Sequence, residues 1–179
     1  DDVYANPLCS PPCGDLQCQQ CCIEYLDCRT QPKCEEGKSY ILDQSQVNPK
    51  HEVLLLHIDG GVITEPEASM QKKCDYAMVI RDGRSRQGDC RGKGNTVILI
   101  ELKGKNVRTA SKQLQLTIDQ PEFKAAWETM GRMYGRIVCK SSIPRLRSEE
   151  MICLEEKLRD RGGNLKIREE VFLETYGEL

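Results

Sequence analysis

Aromatic residues and long apolar stretches are both scarce in this sequence. Phe, Trp and Tyr make up 5% of the 179 residues, so the core must be mainly aliphatic, and exposed rings that stack single-stranded nucleic acid are not expected. No stretch approaches the roughly 18 consecutive apolar residues of a membrane-spanning helix. The first residues also lack the charged and apolar segments of a signal peptide. We therefore expect a cytoplasmic protein with no membrane partner.

An excess of charge of one sign is also missing. The 26 basic and 28 acidic residues leave a net charge of −2, so any nucleic-acid-binding surface must come from a local concentration of positive charge. With 39% hydrophobic and 30% charged residues, the chain can form both a core and a soluble surface. Its length suits one domain with a small appendage.

Histidine is nearly absent as well. His51 and His57 are the only two, and no Ser/His/Asp order stands out. We expect both to be ordinary residues, with His57 in a strand and His51 just before it. A metal site with His and Cys ligands that includes His51 is an alternative. The glycines between residues 83 and 94 lack the spacing of a phosphate-binding loop and precede a strand instead of a helix.

Cysteine, in contrast, is abundant and unevenly placed. Seven of the eleven cysteines lie in the first 34 residues, which predicts a cysteine-rich, metal-binding module over 1–36 and a second domain over 37–179. Cysteines separated by two to four residues can bind one tetrahedral ion. The predicted ligands are Cys9, Cys13, Cys18 and Cys21, with Cys22, Cys28 and Cys34 as alternates.

The identity of the metal stays open at this point. Zn²⁺ is preferred, an iron–sulfur cluster is the second interpretation, and a disulfide-bonded segment is the third. A short helix over 16–28 would bring several of the cysteines to one side. The four remaining cysteines are expected to be mostly structural thiols: Cys74, Cys90, Cys139 and Cys153.

The remaining sequence alternates between strand and helix patterns. Apolar runs with turn signals predict strands over 53–59, 74–80, 96–103, 136–139 and 165–172. Helical spacing predicts helices over 106–119, 122–133 and 148–161, the last with Ser148 as its N-cap and Gly162-Gly163 as its stop. The order β-β-β-α-α-β-α-β predicts an α/β fold with a mixed central sheet flanked by helices.

Three charged residues stand at the ends of two of these strands. Asp75 begins one apolar run, and Glu101 and Lys103 end the next. Residues two apart on a strand project from the same face, so a hairpin would bring two carboxylates and an ammonium to one edge of the sheet. Two carboxylates suit Mg²⁺, and a neighbouring lysine can activate water or stabilise a phosphoryl oxygen.

This order resembles the PD-(D/E)xK nuclease superfamily, which includes restriction endonucleases and Holliday-junction resolvases. Asp75 matches the metal-binding Asp of the family, and Glu101-Leu102-Lys103 matches its E-x-K. Gln113, within Ala-Ser-Lys-Gln-Leu on the following helix, matches the A-x-x-Q-L form of part of the family.

The resemblance implies roles for these residues within a restriction-endonuclease-like core. Asp75, Glu101 and the carbonyl of Leu102 would hold Mg²⁺ or Mn²⁺, Lys103 would position water, and Gln113 would orient Lys103 or contact phosphate. The family often adds an upstream Glu, for which this chain has several candidates: Glu24, Glu35, Glu36, Glu65 and Glu67.

We therefore expect a Mg²⁺-dependent endodeoxyribonuclease, with a role in phage defence or DNA processing. It would act as a homodimer or with a defence-system partner. The expected phosphate contacts are Arg81, Arg84, Arg86, Lys105, Arg108 and Lys112. The alternative is a catalytically degenerate nuclease fold that serves as an interaction module and is stapled by a structural metal.

Overall fold

The computed structural model of the chain describes residues 23–26, 33–35, 37–43, 51–59, 72–81, 95–103, 105–128, 130–140 and 146–179. The strands in these ranges are β1 (Ile23–Leu26), β2 (Lys33–Glu35), β3 (Lys38–Asp43), β4 (Glu52–His57), β5 (Tyr76–Arg81), β6 (Thr96–Lys103), β7 (Arg132–Cys139), β8 (Leu165–Glu169) and β9 (Val171–Thr175). The helices are α1 (Val107–Ile118), α2 (Pro121–Glu128) and α3 (Glu149–Arg159), and a 3₁₀ turn follows over Tyr176–Glu178.

Six of the strands form one mixed sheet in the order β1-β4-β5-β6-β7-β8. The pairs from β1 to β6 are antiparallel, and β6, β7 and β8 run parallel. A separate sheet has the order β2-β3-β9. The predicted α/β class with a mixed central sheet is therefore confirmed.

The side chains of β6 alternate between two apolar cores, one on each face of the sheet. Val97 and Leu99 share a core with Leu114 of α1 and with residues of the other two helices. Ile98, in contrast, shares a core with Phe172 of β9 in the smaller sheet. This alternation, which follows from the two-residue period of a strand, explains why β6 is apolar on both faces. Helices cover one face of the six-stranded sheet, and the smaller sheet covers the other.

The smaller sheet is joined to the larger one by a buried polar network. Arg136 of β7 donates from Nε and Nη2 to the two carboxylate oxygens of Glu174 of β9, at 2.6 and 2.9 Å. The hydroxyl of Tyr40 and the ammonium of Lys166 also donate to Glu174, at 3.0 and 2.7 Å. The third nitrogen of the guanidinium, Nη1, donates to Asn164. Every charged group at the centre of this network therefore has close partners.

Residues that favour helix ends begin α1 and α3 and follow α3. Asn106 caps α1 by accepting from the backbone N–H of Thr109 at 3.0 Å. Ser148 caps α3 by accepting from the N–H of Met151 at 3.4 Å, as predicted. Gly162 follows α3 with a φ of +68°, which confirms the predicted stop.

The boundaries of two elements in the C-terminal half were predicted wrongly. The helix predicted over 122–133 ends at Glu128, because residues from Arg132 onward pair in register with β6. The strand predicted over 165–172 is divided by Glu170, whose φ of +54° turns the chain between the two sheets. Alternation of polar and apolar residues continues through this turn and therefore conceals it.

The N-terminal part also differs from its prediction. The helix predicted over 16–28 is wrong at Ile23–Leu26, which forms β1 and pairs with β4. Strand β3 was not predicted, because only a short apolar stretch marks it. Although β1 and β2 lie in the segment 1–36, they pair with β4 and β3 beyond it. The division at residue 36 and the module's metal remain predictions.

Candidate functional site

Glu101 lies near the C-terminal end of β6 and faces the helices. Its side chain is 1% exposed, and its Oε1 lies 3.4 Å from the ammonium nitrogen of Lys103. Its Oε2 is buried without a hydrogen-bond partner among the residues that the structure describes. A buried carboxylate oxygen normally has a donor, so this atom marks an incomplete set of contacts.

Asp75, just before the neighbouring strand, lies beside the same end of β6. It lies immediately before β5, and one of its carboxylate oxygens, Oδ2, accepts from the backbone N–H of Leu102 at 2.7 Å. Its backbone carbonyl accepts from the N–H of Ile58 at 2.9 Å. The sequence prediction that Asp75 meets the end of β6 is thus matched by the geometry.

The surroundings of Glu101 disfavour its charged form. Burial raises the pKa of its carboxyl from 4.5 to about 8, and the negative charge of Asp75 adds to this rise, while Lys103 opposes it. Near neutral pH, without a further cation, Glu101 therefore holds a proton for much of the time. The two acids together form a site that favours the arrival of positive charge.

Lys103 lies between the acids and α1. Its Nζ donates to Oε1 of Gln113 at 2.7 Å, and its side chain remains 27% exposed. Gln113 in turn donates from Nε2 to the backbone carbonyl of Lys73 at 2.9 Å. The expected contact between Gln113 and Lys103 is therefore present, and the same amide also reaches the segment before Asp75.

One residue next to this site was missed by sequence reasoning. Thr117 lies one turn after Gln113 on α1, and its Oγ1 accepts from the backbone N–H of Cys74 at 2.9 Å. The signal that could have found it is the spacing of four residues, which places both side chains on one helix face.

The residues predicted to contact phosphate do not all lie near the site. Lys105 and Lys112 are exposed near the start and the middle of α1. Arg108 is exposed, but it is paired with Glu150 of α3 at 2.6 Å. Arg81 ends β5, whereas Asp75 precedes it, so the two are roughly 20 Å apart at 3.3 Å per residue. Arg84 and Arg86 lie outside the described residues.

The predicted metal ligands can be placed only in part. Among the described ranges, no group of three or more His, Cys, Asp or Glu side chains is arranged to hold a metal ion. Cys34 lies in β2, and the other predicted ligands, from Cys9 to Cys28, lie outside the described residues. His51 packs edge-on against Tyr176, and His57 stacks on Tyr76 with 5.1 Å between ring centroids.

The scattered cysteines and the upstream acids have mixed outcomes. Cys74 and Cys139 are buried, as expected of structural thiols, but Cys153 is exposed on α3. Cys90 lies outside the described residues. Of the upstream acids, Glu24 lies in β1 and Glu35 in β2, while the other three also lie outside the described residues.

No protein-family model, curated protein or solved structure matched the chain. Among the described residues, no helix has the length and apolar character to span a membrane.

Proposed function

We propose that the chain is a Mg²⁺-dependent endonuclease of the PD-(D/E)xK superfamily that hydrolyses phosphodiester bonds in DNA. The observation that carries this proposal is the buried carboxylate of Glu101, which has an oxygen without a described hydrogen-bond donor and is close to the charge of Asp75. A buried, poorly compensated acid is unfavourable for folding, so a role in binding a cation is a better explanation than a structural role.

The arrangement of elements supports the same family. Asp75 lies just before β5 and Glu101 lies in β6, and these two strands are adjacent and antiparallel. The helix that follows β6 brings Gln113 to Lys103. These are the positions that the resemblance assigns to the metal ligands, the lysine and the glutamine. The mixed sheet with helices on the site's face also suits a restriction-endonuclease-like core.

The donors at the site suit a divalent cation. Asp75 and Glu101 would hold Mg²⁺ or Mn²⁺ by carboxylate oxygens, with the carbonyl of Leu102 as the further ligand that the resemblance implies. When bound, the cation would lower the pKa of water and stabilise negative charge on the phosphoryl group.

Lys103 is the cation that the chain itself supplies. Its ammonium has three N–H donors, and the contacts with Gln113 and Glu101 occupy two of them. The third can hold an attacking water or a phosphate oxygen, while the first two fix the position of the ammonium. Such a fixed positive charge stabilises the negative charge that develops in the transition state.

The DNA backbone would be held by basic side chains near the site. Lys112 is exposed on the helix that carries Gln113, and Lys105 is exposed just before that helix begins. Contacts of this kind give affinity without base specificity. In this proposal the enzyme acts in phage defence or DNA processing, as a homodimer or with a partner of the same system.

Cleavage of supercoiled plasmid in the presence of Mg²⁺ or Mn²⁺ tests the proposal. Wild type is expected to nick the plasmid, and Lys103→Ala is expected to lower the rate by about 100-fold or more, because it removes a preorganised charge. Lys124→Ala removes an exposed lysine on α2 and is the matched control, with no expected change. Absence of cleavage by the wild type with either metal would contradict the proposed endonuclease activity and favour the interaction module.

A further inference from the structure

Thr117 occupies a position in α1 from which it contacts the chain leading into the site. Its side chain is fully buried, as is that of Cys74, whose N–H it accepts at 2.9 Å. The same hydroxyl donates its proton to the carbonyl of Gln113 at 3.0 Å. One hydroxyl therefore holds its own helix and a separate segment together, using both its donor and its acceptor capacity.

Gln113 holds the same segment one residue earlier. Its amide nitrogen donates to the carbonyl of Lys73, and its amide oxygen accepts from Lys103. Two side chains one turn apart on α1 thus bind consecutive residues of the segment that precedes Asp75. The two hydrogen bonds act on opposite polar groups, a carbonyl at one residue and an N–H at the next.

Asp75 depends on this segment for its position because it is not itself within β5. Its backbone carbonyl is held by β4 through Ile58, and its carboxylate is held by β6 through Leu102. The chain that enters Asp75 is fixed from a third direction by Gln113 and Thr117. Without the third support, the carboxylate retains its partner on β6 but the backbone that carries it can shift.

We propose that Thr117 is a positioning residue, which fixes Asp75 for cation binding through its hydrogen bond with the backbone of Cys74. This inference rests on the proposed function, since it assigns Asp75 to a cation. Outer residues that orient a metal ligand typically change metal affinity by 10- to 100-fold when they are replaced. A hydrogen bond between fully buried groups is suited to this role, because water cannot readily replace it.

The chain offers a matched control on the same helix. Ser111 is fully buried and donates to the carbonyl of Val107, four residues earlier, at 3.0 Å. Thr117 makes the equivalent bond within α1 and, in addition, the bond to Cys74. Comparing the two hydroxyls therefore separates the contact with the site from the contact within the helix.

The test measures Mn²⁺ binding by calorimetry together with hydrogen exchange at the amide of Cys74. Thr117→Val, which preserves shape and removes the hydroxyl, is expected to weaken Mn²⁺ binding about 10-fold and to speed exchange at Cys74 by a similar factor. Thr117→Ser restores the hydroxyl and is expected to remain within about twofold of wild type in both measurements. Ser111→Ala is expected to leave both measurements unchanged.

The outcomes separate this inference from the proposed function. Wild-type binding of Mn²⁺ with equal binding by Thr117→Val would overturn the positioning role. Equal loss in Thr117→Val and Ser111→Ala would overturn it too, because the cause would then be the helix as a whole. Failure of the wild type to bind Mn²⁺ at residues 75 and 101, shown by an unchanged affinity in Asp75→Asn, would overturn the proposed function instead.

Discussion

Glu101 and Glu174 are both buried against the central sheet, on opposite faces, and their surroundings differ. Glu101 is 1% exposed and has one carboxylate oxygen without a described donor. Glu174 is fully buried, and Arg136, Lys166 and Tyr40 all donate to its carboxylate. One acid therefore has an incomplete set of partners, and the other has a complete set.

The pKa shifts of the two acids run in opposite directions. Burial alone would raise the pKa of Glu174, but hydrogen bonds and positive charge from Arg136 and Lys166 hold it below the ordinary value. For Glu101, burial and Asp75 raise the pKa to about 8, and Lys103 compensates only in part. Burial of an acid thus does not by itself indicate function. The informative difference is whether the protein supplies the neutralising charge.

The largest expected effect comes from breaking the complete network. Arg136→Met would leave Glu174 buried without its bidentate partner, and we expect the free energy of unfolding to fall by about 3–5 kcal/mol. Urea denaturation measures this loss. Lys166→Met removes a partner that is 30% exposed and should cost less. A loss below about 1 kcal/mol in Arg136→Met would contradict the importance of the pair.

The second prediction is that replacing Glu101, the acid with an incomplete set of partners, stabilises the protein. Because the pKa of Glu101 lies above 4.5 in the folded state, its contribution to stability declines as the pH rises from about 4.5 to about 8. Glu101→Gln should therefore raise the free energy of unfolding by about 3 kcal/mol at pH 7 without divalent cations.

This gain should disappear at about pH 3.5, where the carboxyl of Glu101 is mostly protonated in both the folded and the unfolded states. Denaturation at the two pH values measures the difference. Glu156→Gln, an exposed replacement on α3, is the control and should show little change at either pH. A loss of stability at pH 7 in Glu101→Gln would mean that the carboxylate is better compensated than its contacts indicate.

A third prediction separates the two acids by their response to a cation. If Ca²⁺ binds the folded site, a concentration ten times its dissociation constant should stabilise the wild type by about 1.4 kcal/mol. Thermal unfolding measures the shift. The shift should be lost in Glu101→Gln and retained in Lys166→Met, which alters only the other network. An equal shift in all three proteins would place the cation elsewhere.

The smallest expected effect concerns Glu170, which connects the two regions. A residue with a side chain is unfavourable at its φ of +54°, so Glu170→Gly should stabilise the protein by about 0.5–1 kcal/mol. Glu169→Gly places glycine in the extended strand β8 and should destabilise it instead. Denaturation midpoints measure both changes. The same sign in the two variants would show that the backbone conformation at residue 170 is not what matters.

The incomplete site was easier to predict from sequence than the complete network. Asp75, Glu101 and Lys103 stand at the ends of apolar runs, and the two-residue period of a strand with a hairpin is enough to gather them. Gln113 follows on the next helix, so its contact with Lys103 spans only ten residues. Local patterns therefore contain most of this arrangement.

The network around Glu174 depends on pairings that no local pattern reveals. Arg136 and Glu174 are 38 residues apart, and Tyr40 is 134 residues from Glu174. They meet only because β9 pairs in parallel with β3, a strand that was not predicted. Glu174 itself belongs to an alternating stretch in which a charged residue would ordinarily be assigned to the solvent.

Glu170 also limits how independently the two sheets can come apart. Its N–H donates to the carbonyl of Cys139 in the six-stranded sheet, and its carbonyl accepts from the N–H of Ser39 in the smaller one, at 2.9 and 2.8 Å. Because Glu170 is hydrogen-bonded to both sheets, release of the smaller sheet also breaks a hydrogen bond at the edge of the larger one. The two sheets are therefore expected to unfold as a single cooperative unit, with β9 protected from local opening.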